Sequence, residues 1–335
     1  MKQYVITIDT GTTNTRCILW NEAQEPVAVE KREVGVRNTA VDGNNERLKA
    51  AVRACLEGIL AAAKASYEDV RLVLASGMIT SNVGLLEVPH LIAPAGMEDL
   101  AKAIHAETLA DVCPLPIHFV PGIKNNVGTV TTENLEAMDI MRGEEVETCA
   151  VLDQLHDGKP MVLVLPGSHT KFVAVDAQRK ITGCLTSIAG ELLSCITTNT
   201  IIADAVARSF VGENDYDKDA LLLGYDEAAK VGLARTCFSA RIMNQFVTKH
   251  AATVANFVLG ATLQGDIEAI KHSDAVRADG NSTIVVSGKH PLRTALVDIL
   301  KHDNSFGRVI EYMPEEEKPL SSIGCYRIAQ TGGLL

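Results

Sequence analysis

The stretch Val5-Ile6-Thr7-Ile8-Asp9-Thr10-Gly11-Thr12-Thr13-Asn14-Thr15-Arg16-Cys17-Ile18-Leu19-Trp20 decides the fold of this chain. Its apolar residues predict one strand over 5–9 and a second over 16–20, joined by a polar turn at 11–14. The same arrangement recurs at 161–175, where a small polar turn over 167–171 separates two further apolar strands. Alignment of Gly11 with Gly167 pairs Thr12 with Ser168, so the sequence predicts two halves that each begin with a similar hairpin.

The first of these turns combines small polar residues with an acid. Asp9 ends the opening strand, and the residues that follow supply backbone N–H groups and hydroxyls: Gly11, Thr12, Thr13 and Asn14. Such a turn can hold phosphate oxygens while the acid binds a hydrated Mg²⁺. The alternative is an ordinary hairpin turn in which Asp9 serves as a local cap.

The second turn offers a similar set of groups but no acid. Its candidate phosphate ligands are Gly167, Ser168, Thr170 and Lys171, and Leu165 stands in the place of Asp9. It therefore predicts phosphate binding without a metal, with a solvated Lys171 as the alternative. Neither turn fits the GxxxxGK[ST] or GxGxxG phosphate-binding patterns.

The rest of the chain alternates strands and helices, which is typical of α/β layers. Further strands are predicted over 70–75, 117–120 and 283–286, and helices over 47–64, 97–108, 192–210, 220–232, 239–247, 251–270 and 292–300. We expect the Ala- and Gly-rich stretch 251–265 to pack closely against a neighbouring helix, or else at the interface of a homo-oligomer.

Composition limits the class of function. The chain has 335 residues, with 31 Lys and Arg against 42 Asp and Glu, a net charge of −11 and a pI of about 5.3. This balance argues against a partner that is nucleic acid or an anionic membrane. The eight cysteines form no CxxC pair, and no apolar run approaches the roughly 18 residues of a membrane-spanning helix. These features predict a cytoplasmic protein with reduced thiols, long enough for two domains.

Two adjacent acids follow Gly143 at a predicted helix start. Glu144 and Glu145 could simply complement the helix dipole. A carboxylate so placed beside a phosphate turn could instead accept the proton of an attacking hydroxyl. Asp139, five residues before Glu144, is a second candidate for this role.

Together these pieces resemble the actin-like superfamily of ATPases and sugar kinases. The resemblance implies two α/β domains of the actin-like (ribonuclease H-like) type with ATP in the cleft between them. We expect an N-terminal domain at 1–122, on the sugar side, and a C-terminal domain at 123–335. A third turn, at Ser287 and Gly288, would bind the adenosine.

The resemblance narrows to the 2-dehydro-3-deoxygalactonokinases over roughly residues 4–300. It rests on seven motifs that recur in the family's order: Ile8 to Arg16, Ala75-Ser76-Gly77-Met78-Ile79, Glu87-Val88-Pro89-His90, Val120-Pro121-Gly122, Asp139 to Glu145, Leu165 to Lys171 and Ala189-Gly190-Glu191-Leu192. It implies ATP-dependent phosphorylation of 2-dehydro-3-deoxy-D-galactonate at its 6-hydroxyl.

The resemblance also implies roles for particular residues. Asp9 would be the acid associated with Mg²⁺, and Glu144, or else Asp139, would be the base. The candidate substrate ligands are Arg16, Ser81, Glu87, Arg142 and Glu191. Arg142 would clamp the substrate carboxylate, or else form an internal salt bridge with Glu191 or Asp139.

Some positions depart from the family pattern. The family usually has Trp at the position of Thr10, an aromatic residue near Leu85 and Tyr in place of His90, and a turn that begins with Gly at 287–288. Because three of these positions face the expected sugar site, another acid such as 2-dehydro-3-deoxygluconate is an alternative substrate. A nucleotide-dependent sensor without transfer chemistry and an α/β scaffold with coincidental turns are competing interpretations of the same residues.

Overall fold

A computed structural model describes residues 3–335, which form fourteen strands and ten α-helices. The strands are β1 (Tyr4–Thr10), β2 (Thr15–Trp20), β3 (Pro26–Arg32), β4 (Val70–Gly77), β5 (Leu91–Ile92), β6 (His105–Glu107), β7 (Ile117–Phe119), β8 (Ile123–Lys124), β9 (Ile140–Met141), β10 (Met161–Leu165), β11 (Thr170–Val175), β12 (Ile181–Ser187), β13 (Thr283–Ser287) and β14 (Val309–Tyr312). The helices are α1 (Val36–Asp42), α2 (Glu46–Ala62), α3 (Met97–Lys102), α4 (Glu144–Leu155), α5 (Ala189–Asn199), α6 (Lys218–Val231), α7 (Leu233–Phe246), α8 (Ala251–His272), α9 (Leu292–Asp303) and α10 (Leu320–Thr331).

Two sheets of matching topology organise the chain. The first has the order β3-β2-β1-β4-β7-β6 and the second the order β12-β11-β10-β13-β14. In both, three antiparallel strands are followed by two parallel ones, and the first sheet adds β6 at its edge, antiparallel to β7. The two predicted hairpins, β1–β2 and β10–β11, lie at equivalent positions in these sheets. A third, small sheet joins β5, β8 and β9.

Three apolar cores hold the sheets in place. One lies between the first sheet and α2, and another between the second sheet and α5 to α9. The third packs α4 and α10 against the remaining faces of both sheets. The C-terminal helix α10 also contacts β1 and β4, so the end of the chain returns to the first sheet. The predicted boundary at residue 122 stays a prediction.

The Ala- and Gly-rich stretch packs closely against a neighbouring helix, as the first of its two interpretations predicts. Helix α8 runs alongside α6, and the glycines Gly224 and Gly260 stand at their crossing. A Cβ atom on Gly260 would overlap the carbonyl oxygen of Leu221. These glycines therefore allow the two backbones to approach within the distance that a side chain would occupy.

We expect Gly260→Ala to lower the free energy of unfolding by about 1–3 kcal/mol, because the added methyl group meets a backbone that cannot yield locally. Gly265 of the same helix is the matched control, since it is exposed and a Cβ there would meet nothing within 4 Å. Gly265→Ala should leave stability unchanged or raise it by up to about 1 kcal/mol. Urea unfolding of both variants tests this, and equal midpoints would contradict it.

Three helix predictions are wrong in their extents. The helix expected over 97–108 ends at Lys102, because residues 105–107 pair as β6 with β7 at the sheet edge. The helix expected over 192–210 ends at Asn199, in a run of Thr residues whose hydroxyls bond to backbone carbonyls. Helix α7 begins at Leu233 rather than at 239. The pattern was hard to read here because Phe238, Ile242 and Phe246 face outward and weaken the amphipathic signal of the helix.

Within residues 3–335, every helix is too short or too polar to serve as a membrane span.

Candidate active site

The two hairpins and the start of α4 meet at one cavity of about 310 Å³. Its lining residues are Asp9, Thr10, Gly11, Thr13, Asn14, Arg16, Lys31, Gly77, Arg142, Gly143, Glu144, Glu147, Leu165, His169, Lys171 and Ser321. A cavity of this size lies within the range of small-molecule sites. The structure thus brings together eight of the residues predicted from sequence: Asp9, Gly11, Thr13, Asn14, Arg16, Arg142, Glu144 and Lys171.

Backbone hydrogen bonds from the start of α1 hold the first hairpin turn in place. Gly11 N donates to the carbonyl oxygen of Asn14 (2.9 Å), and the carbonyl oxygens of Gly11 and Thr12 accept from the N–H groups of Val36 and Arg37 (3.2 and 2.9 Å). These bonds turn the carbonyls away from the cavity, which Thr13 and Asn14 line. Thr12 is exposed and does not line it.

The second hairpin turn repeats this arrangement. Glu191 N donates to the carbonyl oxygen of Ser168 (3.0 Å), and a Cβ on Gly190 would overlap the carbonyl oxygen of Gly167. Gly167 and Ser168 therefore pack against the start of α5 and do not line the cavity. Thr170 is buried in β11, opposite Ser187.

His169 lines the cavity, although it was not among the site residues predicted from the sequence. Its Nε2 lies 3.0 Å from Oε1 of Glu191, so this pair ties the second hairpin turn to α5. Glu191 itself was predicted as a substrate ligand. In the structure its carboxylate faces His169 instead and lies outside the lining of the cavity.

Asp9 is half-buried at the end of β1, directly opposite Arg16 across the hairpin. Burial raises the pKa of Asp9, while the hydrogen bond from Ser321 and the charge of Arg16 oppose this rise. Ser321 Oγ donates to Asp9 Oδ2 (2.9 Å) from the C-terminal helix. Ser321 was not among the site residues predicted from the sequence.

The two adjacent acids at the start of α4 have different environments. Glu144 lines the cavity, and its Oε2 accepts from Arg142 N (3.2 Å). Glu145 is fully buried outside the cavity, and both of its oxygens accept from Gly143 N (2.9 and 2.8 Å). Gly143 has φ of 117°, a left-handed conformation that other residues rarely adopt. At this sharp bend one glutamate faces the cavity and its neighbour faces the protein interior.

The pKa values of both acids are raised. For Glu144 burial raises the pKa, and the charge of Lys171 lowers it in part. For Glu145 burial, followed by repulsion from Glu144, raises the pKa to about 8. Glu145 is thus protonated at neutral pH.

Glu147, one helical turn after Glu144, is a further acid of the cavity. Burial, then the nearby charges of Glu144 and Asp9, raise its pKa to about 8. This residue was not predicted from the sequence. Its i, i+3 spacing from Glu144 was the available signal, because residues three apart share one face of a helix.

Lys171, which is buried, and Asp139, which is half-buried, lie close together beside Glu144. Lys171 is only 7% exposed, and its Nζ donates to the carbonyl oxygen of Ile140 (2.9 Å) and to the hydroxyl of Thr186. Asp139 Oδ1 lies 3.9 Å from this Nζ and accepts from Thr186 Oγ1 (3.1 Å). Asp139 does not line the cavity, whereas Lys171 does.

Arg142 links the cavity to the loop 78–90 of the first half. Its Nη1 donates to Thr80 Oγ1 (2.8 Å) and its Nη2 to the carbonyl oxygen of Val88 (2.7 Å), and Nη2 lies 3.3 Å from His90 Nδ1. Burial, together with the charges of Arg142 and Lys124, lowers the pKa of His90 to about 4. His90 is therefore neutral and accepts from Arg142 at Nδ1.

The other predicted residues of this loop do not reach the cavity. Ser81 is buried and donates to the carbonyl oxygen of Met78 (2.7 Å), whereas Glu87 is exposed. Neither lines the cavity. The internal salt bridges considered for Arg142, with Glu191 or Asp139, are absent from the ion pairs formed among residues 3–335.

The third predicted turn lies next to the second hairpin. Gly288 has φ of 151°, and a Cβ there would lie 3.0 Å from Pro166 Cγ. Arg293 Nη1 donates to its carbonyl oxygen (2.7 Å). Ser287 and Gly288 thus adjoin the hairpin without lining the cavity, and their binding of adenosine stays a prediction.

The donor set of the cavity fits a magnesium ion that enters with a nucleotide. Across residues 3–335, no three His, Cys, Asp or Glu side chains are grouped as a metal site. Asp9, Glu144 and Glu147 all line the cavity, but burial raises the pKa of Glu147 to about 8, so Asp9 is the carboxylate best suited to a metal at neutral pH. Mg²⁺ commonly binds one or two carboxylates together with substrate phosphates and several waters. Asp9 matches that pattern.

A solved structure shares this architecture, and two others resemble it more distantly. A protein from Sinorhizobium meliloti, provisionally assigned as a 2-dehydro-3-deoxygalactonokinase, is 21% identical and superposes with a TM-score of 0.72 over 98% of this chain and 96% of that chain. The activator of 2-hydroxyisocaproyl-CoA dehydratase from Clostridium difficile, with ADPNP bound, is 12% identical with a TM-score of 0.45 over 98% and 96% of the two chains. Glucokinase from Balamuthia mandrillaris, in complex with glucose, is 10% identical with a TM-score of 0.44 over 98% and 94%. The superposition with the Sinorhizobium meliloti protein confirms the predicted α/β fold.

The sequence itself indicates the family. Comparison with curated proteins yields no match. Residues 9–312 match the profile of the family described as 2-keto-3-deoxy-galactonokinase, which covers most of the chain and all three predicted turns. The chain therefore belongs to the 2-keto-3-deoxy-galactonokinase family, and it is a sugar-acid kinase that uses ATP.

Proposed function

We propose that the protein transfers the γ-phosphoryl group of ATP to the 6-hydroxyl of 2-dehydro-3-deoxy-D-galactonate, giving the 6-phosphate and ADP. The observation that carries this proposal is the meeting of both hairpin turns at one cavity, with Glu144 between them. Gly11, Thr13 and Asn14 of the first turn suit phosphate groups, and the second turn adds the cation of Lys171. A carboxylate at the same cavity suits the acceptor hydroxyl.

The charges of the cavity support an anionic acceptor. Its basic side chains are Arg16, Lys31, Arg142 and Lys171, and its acidic ones are Asp9, Glu144 and Glu147. Four cations gather here in a chain whose net charge is −11. A sugar acid would neutralise more of this positive charge than a plain hexose, because its carboxylate adds negative charge to that of the phosphates.

In the proposed reaction, Glu144 accepts the proton of the 6-hydroxyl as the oxygen attacks the γ-phosphorus. A new O–P bond forms while the bond to the β,γ-bridging oxygen breaks, and its electron pair leaves with ADP. Phosphoryl transfer depends mainly on positioning and charge neutralisation. Lys171, which lowers the pKa of Glu144, helps to keep this carboxylate ionised.

Bound Mg²⁺ would neutralise charge on the transferring phosphate. Asp9 is the side chain that would hold it. The hairpin turns would orient the phosphate chain through their N–H and hydroxyl groups, and closure of the two halves would exclude water.

Arg142 is our candidate for the ligand of the substrate carboxylate. The loop 78–90 engages its two terminal nitrogens through Thr80, Val88 and His90, which fixes the plane of the guanidinium. Five N–H donors belong to this group, so some remain for a ligand. Because Arg142 contacts the loop 78–90, a carboxylate bound to it would place that end of the substrate beside this loop of the first half.

A panel of acceptors tests the proposal through ADP release in a coupled assay. We expect turnover of 2-dehydro-3-deoxygalactonate, little of 2-dehydro-3-deoxygluconate and none of glucose, and phosphorus–proton coupling in NMR should locate the phosphate on O6. Arg142→Lys should raise the KM for the sugar acid about tenfold or more, because a point cation cannot reproduce the planar fork. Equal kcat/KM for glucose and the keto-deoxy acid would contradict the proposal, and a preference for the gluconate epimer would reassign the substrate.

A further inference from the structure

The C-terminal helix reaches the cavity from outside the region that matches the family profile. That match ends at residue 312, whereas α10 begins at Leu320. Ser321, in its first turn, is 4% exposed and donates from Oγ to Asp9 Oδ2 at 2.9 Å. The two residues are 312 positions apart in sequence, so only the fold brings them together.

This hydrogen bond restricts the orientation of the Asp9 carboxylate. A hydrogen bond to an ionised group is stronger than one between neutral groups. Because Ser321 occupies Oδ2, the other oxygen is left for a ligand in the cavity. A carboxylate that rotated freely would lose part of its effect on a bound phosphate, since preorganised groups need no reorientation during the reaction.

Helix α10 also packs against α4, the helix that carries Glu144 and Glu147. A Cβ on Gly324 would overlap the carbonyl oxygen of Val146, so α10 and α4 are in backbone contact. Their packing is among the most extensive between helices of this chain. Helix α10 therefore touches both β1, which carries Asp9 next to its last residue, and α4, which begins with Glu144 and includes Glu147.

We propose that Ser321 is a positioning residue for the kinase reaction, which fixes the Asp9 carboxylate toward the nucleotide phosphates and their metal. This inference rests on the role of Asp9 in the proposed function. It gives the C-terminal helix a part in the active site that its position in the sequence does not indicate.

Ser322 provides a matched control on the same helix. It is 2% exposed, and its hydroxyl has no hydrogen-bond partner among the described residues. Ser322→Ala removes a buried hydroxyl without touching Asp9, so a general effect of altering α10 would appear in both variants. A specific effect on Asp9 would appear only in Ser321→Ala.

We expect Ser321→Ala to lower kcat roughly tenfold, the usual effect of losing a hydrogen bond to a charged group, with the KM for the sugar acid nearly unchanged. Ser322→Ala should remain within about twofold of the parent in kcat. In calorimetric titrations, Ser321→Ala should weaken the binding of ADP in the presence of Mg²⁺ by a similar factor, and the binding of metal-free ADP should not change. Both variants should unfold at similar temperatures.

A double-variant cycle completes the test. In an Asp9→Asn background, Ser321→Ala should cause no further loss of Mg²⁺-dependent ADP affinity. Equal kcat for Ser321→Ala and Ser322→Ala, or an undiminished loss in the Asp9→Asn background, would overturn the inference while leaving the proposed function intact. Near-normal turnover of Asp9→Asn would overturn the metal role of Asp9, and with it this inference, whereas the proposed function would fail only if the parent released no ADP with the keto-deoxy sugar acid. If Ser321→Ala does not fold, Ser321→Cys, which keeps a weak donor, should show a smaller loss of kcat.

Discussion

Asp9→Asn should reduce turnover by roughly a hundred- to thousandfold, in the range that follows loss of one preorganised electrostatic group. Asparagine has nearly the same size as aspartate but lacks the negative charge that would hold Mg²⁺ beside the transferring phosphate. The equivalent position of the second hairpin, Leu165, has no charge, so the cavity offers no second acid at that site. The loss should therefore appear in kcat and in the concentration of Mg²⁺ needed for half-maximal rate.

The unfolding temperature of Asp9→Asn shows whether a loss of turnover reflects a functional role of Asp9 or a structural one. Burial raises the pKa of Asp9, so the folded state disfavours its ionised form, and the group opposes folding increasingly as the pH rises above its unfolded pKa. A neutral amide removes this cost. We expect an unfolding temperature at neutral pH equal to or above that of the parent, together with an unchanged circular dichroism spectrum. Turnover close to normal at saturating Mg²⁺ would contradict the metal role.

Much of the fold was predictable because its main signals are local. The hairpins at β1–β2 and β10–β11 are defined by runs of apolar residues on either side of a polar turn, and such runs specify strands within a few residues. The duplication of the sheets follows from the similarity of these hairpins. The helix errors arose where tertiary contacts decide the structure, as at β6, which is a strand only because β7 lies beside it.

The sequence predicted which turns form the site, but it did not predict the contacts between residues that are distant in the chain. Ser321 and Lys31 carry no local signal, since one lies in the first turn of a C-terminal helix and the other in a strand after the first hairpin. Conversely, Ser81 and Glu191 belong to polar motifs that suit a ligand, yet their side chains bond to Met78 and His169. Sequence patterns identify residue types suited to a chemistry, and the fold determines which of them meet.

The distinction between Glu144 and Glu145 is the clearest case of this limit. Both follow Gly143 and both could serve as a base when the sequence alone is considered. The left-handed conformation of Gly143 lets Glu145 fold back onto the N–H of that glycine, and Glu144 is then directed to the cavity. Because burial raises the pKa of Glu145 to about 8, this side chain is poorly suited to accept a proton at neutral pH.

Glu144→Gln is expected to lower kcat by about a hundred- to ten-thousandfold, the usual range for a positioned general base. The amide keeps the size and hydrogen-bonding capacity of the side chain but cannot take the proton of the 6-hydroxyl. A loose transition state depends only weakly on base catalysis, so the loss should fall toward the lower end of this range. ATP affinity should change little, because the carboxylate faces the acceptor.

The pH dependence of kcat/KM in the parent enzyme tests independently whether Glu144 is the base. Burial raises the pKa of Glu144, and a base must be ionised to act, so kcat/KM should fall as the pH decreases through this raised value. The acid limb should therefore lie at a higher pH than that of an ordinary glutamate, and it should be lost in Glu144→Gln. An acid limb that persists unchanged in this variant would have to come from another group.

Comparison with the neighbouring acids decides which carboxylate is the base. Glu145→Gln should stay within a few-fold of the parent, because that side chain is already protonated and bonds only to Gly143. Asp139→Asn should have a moderate effect, since Asp139 faces Lys171 and Thr186 rather than the cavity. If only Asp139→Asn abolishes turnover under saturating substrates while both glutamate variants remain active, then Asp139 is the base. Glu144 would in that case serve the start of α4 as a complement to the helix dipole.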